Sequence, residues 1–88
     1  MFKPKYSIII DVWDETTEKA FVLDAIRKLN IRKFYTTIHG VAVKQYHMRV
    51  SNDQLLCIAY NAQCWDSLEI YLDCNGATIK LSTTTIIA

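Results

Sequence analysis

The chain has 88 residues, 51% of them apolar and 22% charged, with a formal net charge of +1 at pH 7. That is material for a single domain over 1–88, near the lower end of what folds without staples. The balanced charge gives no long-range field to recruit nucleic acid or an anionic membrane. Two Gly and one Pro argue against disorder or a Gly-rich ligand loop. No apolar run approaches the roughly 20 residues that cross a bilayer, and Ser7-Ile8-Ile9-Ile10, interrupted by Asp11, is too short for a signal-peptide core. Three cysteines without paired spacing are no disulfide framework. The expectation is a soluble, cytoplasmic protein with reduced thiols.

Tyr6 to Trp13 reads as the first strand, with Tyr6, Ile8, Ile10 and Val12 on one face and Ser7, Ile9, Asp11 and Trp13 on the other. Ile on both faces predicts a central strand. Asp14 suits the N-cap of a helix over 15–29, with Glu15 and Glu18 in its first turn and Val22, Ala25, Ile26 and Leu29 on its apolar face. Asn30 is a good residue to end it. Ile31 to Val50 is strand-like, breaking at His39-Gly40 into a hairpin. The alternation changes phase after that break, which predicts a bulge near Lys44-Gln45. Ser51-Asn52-Asp53-Gln54 carries the capping-box signature of a second helix, followed by Leu55, Ile58, Ala59 and Ala62 at helical spacing and closing at Trp65. A continuous strand through Leu55 to Tyr60 is the alternative.

Asn75-Gly76 is the preferred dipeptide of a two-residue type I′ turn, where both positions need positive φ. That turn sets a register: Cys74 with Ala77, Leu72 with Ile79, Ile70 with Leu81 and Leu68 with Thr83 on the core face. Glu69, Tyr71, Asp73, Thr78, Lys80 and Ser82 then share the polar face. The uncharged tail from Thr83 to Ala88 is β-prone and is expected to add to a sheet, in its own subunit or a neighbour's. The order β-α-β-β-α-β-β corresponds to the ferredoxin-like α+β plan, an antiparallel sheet with two helices on one face and an extra strand after the fourth.

In that plan the helices cover one sheet face, and the other carries Asp11, Trp13, Glu69, Tyr71 and Asp73. Aromatics on an open sheet suit single-stranded RNA, but three carboxylates opposed only by Lys80 repel phosphate. A protein partner, or a second copy of the chain, fits a mixed aromatic and acidic strip better; the plainer reading is that Trp13 and Tyr71 shelter against a loop or the tail. Arg27, Lys28, Arg32 and Lys33, next to Phe34 and Tyr35, form the one basic cluster with aromatic neighbours and could hold a nucleic-acid backbone. Such a run is more often a solvated helix end.

His39, His47, Cys57, Cys64 and Cys74 lack the closely spaced pairs of a zinc site, so no metal or cofactor is expected and the thiols read as buried. Cys74 beside the turn is the most accessible of them, with nothing local to activate it. Ile8-Ile9-Ile10-Asp11, then a helix, then a basic strand ending at Gly40 resembles the small CRISPR-adaptation and toxin-type nucleases. The resemblance covers Tyr6 to Gly40 and implies a dimer in which Asp11 binds Mg²⁺ at the two-fold. Val41 to Val50 departs from it, as does the lack of a Ser or Arg partner near Asp11. The leading expectation is a non-enzymatic protein-binding module, since no catalytic constellation is evident. Free-standing domains of this kind are often encoded by phages or mobile elements to inhibit host enzymes.

Overall fold

The computed structural model describes residues 5–41, 43–63, 65, 68–75, 77–83 and 86. The chain forms β1 (Lys5–Val12), α1 (Thr17–Lys28), β2 (Phe34–His39), β3 (Val43–Ser51), α2 (Asn52–Ala62), β4 (Glu69–Cys74) and β5 (Ala77–Leu81). It is an α+β fold with one five-stranded sheet, ordered β2-β3-β1-β4-β5, in which every neighbouring pair is antiparallel. β1 is central, as Ile on both of its faces predicts. No helix among the described residues is long and apolar enough to cross a membrane.

One sheet face builds the core. Ile8, Ile10 and Val12 of β1, Tyr46, Met48 and Val50 of β3 and Ile70 of β4 form a single buried cluster with Val22 and Ile26 of α1 and Leu55, Ile58 and Ala62 of α2. Both helices therefore lie on that face. Their ends are fixed by local chemistry. The first helix begins at Thr17, with Thr16 rather than Asp14 as its N-cap, and Asp14 Oδ1 accepts from the Thr16 and Thr17 backbone N–H groups at 2.8 and 3.3 Å in the turn before it. Its carboxyl is held well below the usual carboxylate range by the Thr16 and Thr17 hydroxyls and then by these N–H groups. At the other end Asn30 takes a φ of 55°, Asn30 N–H donates to the Arg27 carbonyl at 3.3 Å and Ile31 N–H to the Ile26 carbonyl at 3.0 Å. That is the Schellman pair, with Ile26 and Ile31 both buried as its apolar contact.

The capping box of α2 is complete: Ser51 Oγ accepts from Gln54 N–H at 3.2 Å, and Gln54 Oε1 accepts from Ser51 N–H at 2.8 Å. The other end of the same amide donates to the Leu29 carbonyl at 2.9 Å and so ties the start of α2 to the end of α1. The strand alternative for Leu55 to Tyr60 is thereby replaced by helix, and the helix ends at Ala62 rather than Trp65. Trp65 instead packs on α1, its ring centroid 5.8 Å from that of Phe21.

Four expectations are corrected. β3 runs without a bulge, in unbroken register with both β1 and β2: Val41 lies before the strand, and Val43 is on the face opposite Tyr46. β2 begins at Phe34, since Ile31 belongs to the helix cap. The β4–β5 register is the one the turn predicts from Cys74–Ala77 to Ile70–Leu81, but β5 stops there, so Leu68 and Thr83 do not pair. Thr83 and Ile86 are helical, with Ile86 N–H donating to the Ser82 carbonyl at 3.1 Å, and Ile86 packs against the core, so these tail positions add no strand to the sheet. Asn75 has the predicted positive φ, 50°; Gly76, its partner in the turn, lies outside the described residues, as does Cys64.

Candidate functional site

The uncovered face of the sheet carries the odd-numbered residues of β1 to β4, and register places them in rows across the strands. Tyr35, His47, Ile9, Tyr71 and Lys80 are successive cross-strand neighbours through β2, β3, β1, β4 and β5. One step along the strands, Thr37, Gln45, Asp11 and Glu69 form the next row. On the other side Arg49 lies beside Ser7, and Asp73 beside Thr78.

The register keeps Asp11, Glu69, Tyr71 and Asp73 of the sequence-predicted strip on this one face. Asp11 and Glu69 stand directly opposite one another, an arrangement that repels unless each charge is otherwise engaged. Both are. Asp11, buried at 6% exposure, accepts from Gln45 Nε2 at 2.9 Å. Glu69 accepts a short hydrogen bond from the Tyr71 hydroxyl and pairs with Lys80 at 3.3 Å. The Tyr71 bond is the main reason the Glu69 carboxyl lies below its usual range. The same bond, with burial and the charges of Glu69 and Asp11, pushes the Tyr71 hydroxyl up to about 12. Asp73 sits two residues along β4, toward the opposite end of the face, and Trp13 lies beyond the end of β1 with half its surface exposed. Of the five, Trp13 therefore stands apart from the other four.

The basic cluster divides as well. Arg27 and Lys28 both pair with Asp24 on α1, at 2.7 and 3.0 Å, and are spent on the helix surface. Arg32 and Lys33 instead lead into β2 and line a cleft of about 520 Å³ on the open face with Tyr35, His47, Arg49, Ser7 and Asp73. A second cleft, of about 460 Å³, continues from it past Ser51 and Gln54 and shares Arg32, Lys33 and Arg49. None of these three cations makes an ion pair among the described residues. Above the cleft the Tyr35 and His47 rings stack with centroids 4.6 Å apart and planes 8° from parallel. His47 Nε2 is 2.9 Å from Thr37 Oγ1, which fixes the ring that Tyr35 lies on.

Arg49 and His47 are the residues that the strand pattern hid. Val43, Gln45, His47 and Arg49 alternate cleanly with Lys44, Tyr46, Met48 and Val50, and an unbroken strand would have assigned them to the open face; the expected bulge obscured it. β2 adds a further feature. All six of its residues are exposed, on both faces, because the helices reach only as far as β3. Ile38 is 83% exposed.

Among the described residues no three His, Cys, Asp or Glu side chains converge as a metal site. Cys57 and Cys74 are free, exposed thiols: Cys74 at the hairpin end, where accessibility was expected, and Cys57 on the outer side of α2, where burial was expected. No protein-family model, curated protein or solved structure matches this chain.

Proposed function

We propose that the chain is a non-enzymatic protein-binding module on a ferredoxin-like plan. The plan is supported by the strand order, which reads β4-β1-β3-β2 once β5 is set aside, and by the two crossovers: α1 carries the chain from β1 over β3 to β2, and α2 from β3 over β1 to β4. A nuclease centred on Asp11 finds no such support, since that carboxylate is buried and bonded to Gln45.

The observation that carries the binding reading is the β2 edge. A six-residue edge strand exposed on both faces, with no Pro, Lys, Arg, Asp or Glu, lacks the charges and prolines that keep sheet edges from pairing. Its outer backbone groups can take one more strand, and Phe34 and Ile38 on the helix side offer apolar neighbours to it. The partner is a protein that supplies an extended segment with apolar residues at alternate positions. Trp13, of the predicted strip, keeps a large exposed surface at the far end of β1.

The test is competitive. A stoichiometric partner, or a dimer seen by sedimentation, should be lost on Ile38→Lys or Thr36→Lys and kept on Tyr60→Lys, a residue also exposed but on α2. A dimer that behaves so identifies the partner strand as β2 of a second copy. Association that survives both β2 changes refutes the reading. An inhibitor role adds one requirement: the partner must be an enzyme whose activity falls as this chain is added in equal amount.

A further inference from the structure

We propose that the paired clefts at the Arg49 end of the open face bind single-stranded nucleic acid, with phosphates along Arg32, Lys33 and Arg49 and a base stacked on Tyr35. Overall charge argues against such a ligand only if it is spread evenly, and here it is not. The carboxylates Asp11 and Glu69 are engaged by Gln45, Tyr71 and Lys80 at one end. Three cations free of ion pairs among the described residues collect at the other, opposed there by Asp73 alone. Local field, not net charge, governs what a cleft attracts.

Three features choose the ligand. Guanidinium groups at two of the three cationic positions suit phosphate, which they bind bidentately. The Tyr35–His47 stack is a flat, pre-set platform with Tyr35 61% exposed, so a base can extend it without reordering the side chains. The third feature is length. The two clefts share one row of cations, which makes a track rather than a single pocket, and a track fits a polymer with repeating charge better than a mononucleotide. A duplex hides its base faces inside the stack and cannot use Tyr35.

The experiment is fluorescence anisotropy with labelled 12-mer oligo(U) and oligo(dT), a 12-base-pair duplex, and uridine monophosphate as competitor. Three phosphate contacts on a single strand give a log–log salt slope of about −2, so affinity should fall roughly 18-fold between 50 and 200 mM salt. Arg49→Ala should flatten the slope by about 0.7. Tyr35→Ala should weaken binding about tenfold and leave the slope unchanged, because stacking releases no counterions. Both side chains are exposed, and a circular-dichroism melt confirms that each variant folds. Absence of single-strand binding, equal affinity for the duplex, or full competition by uridine monophosphate at the oligonucleotide's own concentration overturns the proposal. So does indifference to both substitutions. Ile38→Lys belongs to the β2 edge and leaves this binding intact, so the two proposals fail independently.

Discussion

Glu18 offers a sharp test of how the loop between β1 and α1 is held. It is 1% exposed, and its Oε1 accepts two backbone hydrogen bonds, from Trp13 N–H at 2.7 Å and Asp14 N–H at 2.8 Å. Glu18→Ala removes the acceptor and strands both donors at a part-buried site. With about 1–3 kcal/mol for each buried group left unsatisfied, and both sites partly open to water, the loss should be about 3 kcal/mol. Glu18→Gln keeps a carbonyl oxygen in the same place and should cost about 1 kcal/mol. For a domain of this size 3 kcal/mol is a large share of total stability. It corresponds to a fall in the urea midpoint of about 2–3 M, and in Tm of about 12–24 °C. Paired urea and thermal melts of the two variants read this directly. An Ala variant within about 1 kcal/mol of the parent, or a Gln variant as damaged as the Ala one, would falsify the role given to these two bonds.

The other predictions concern the second helix, the open face and the edge. Ser51→Ala breaks half of the capping box and should lower stability by about 1 kcal/mol in urea melts; no change would mean that the cap contributes nothing. The folded Glu69 carboxyl lies below its unfolded value, so its contribution is present above the unfolded pKa and is lost as pH falls through the folded one. Tyr71→Phe removes the main cause and should flatten the acid limb of the stability curve, while leaving stability above pH 6 nearly parallel to the parent's. Ultraviolet titration should find a tyrosine that ionises near pH 12, and Glu69→Gln should bring it back toward the usual range. At the edge, Ile38→Lys should abolish association through β2 with no loss of stability, since that side chain is almost wholly solvated in the monomer.

Much of the fold was legible from local chemistry. The hairpin register followed from one dipeptide, because a two-residue loop leaves a period-two strand no freedom to slip. The start of α2 followed from Ser51 and Gln54, and the end of α1 from Asn30, because caps are settled by backbone groups within a few residues. The tail misled for the same reason in reverse. Thr83 to Ala88 has β-prone residues, yet Thr83 and Ile86 are helical, and Ile86 finds its apolar surroundings by turning back onto the core.

What the sequence by itself determined is therefore the two helices, the five strands and the two faces of β1 and β4, while the faces of β3 and the fold of the tail were not. Outside the β4–β5 hairpin, which residues meet across strands was decided by the order β2-β3-β1-β4-β5. That order put Asp11 against Glu69 and Gln45, burying Asp11 and leaving Glu69 engaged by Tyr71 and Lys80. It also carried Arg49 and His47 to Arg32, Lys33 and Tyr35, and left β2 beyond the reach of the helices. Charge and exposure are properties of neighbours in space, and antiparallel pairing brings together residues as far apart in the chain as Asp11 and Gln45, which no local pattern encodes.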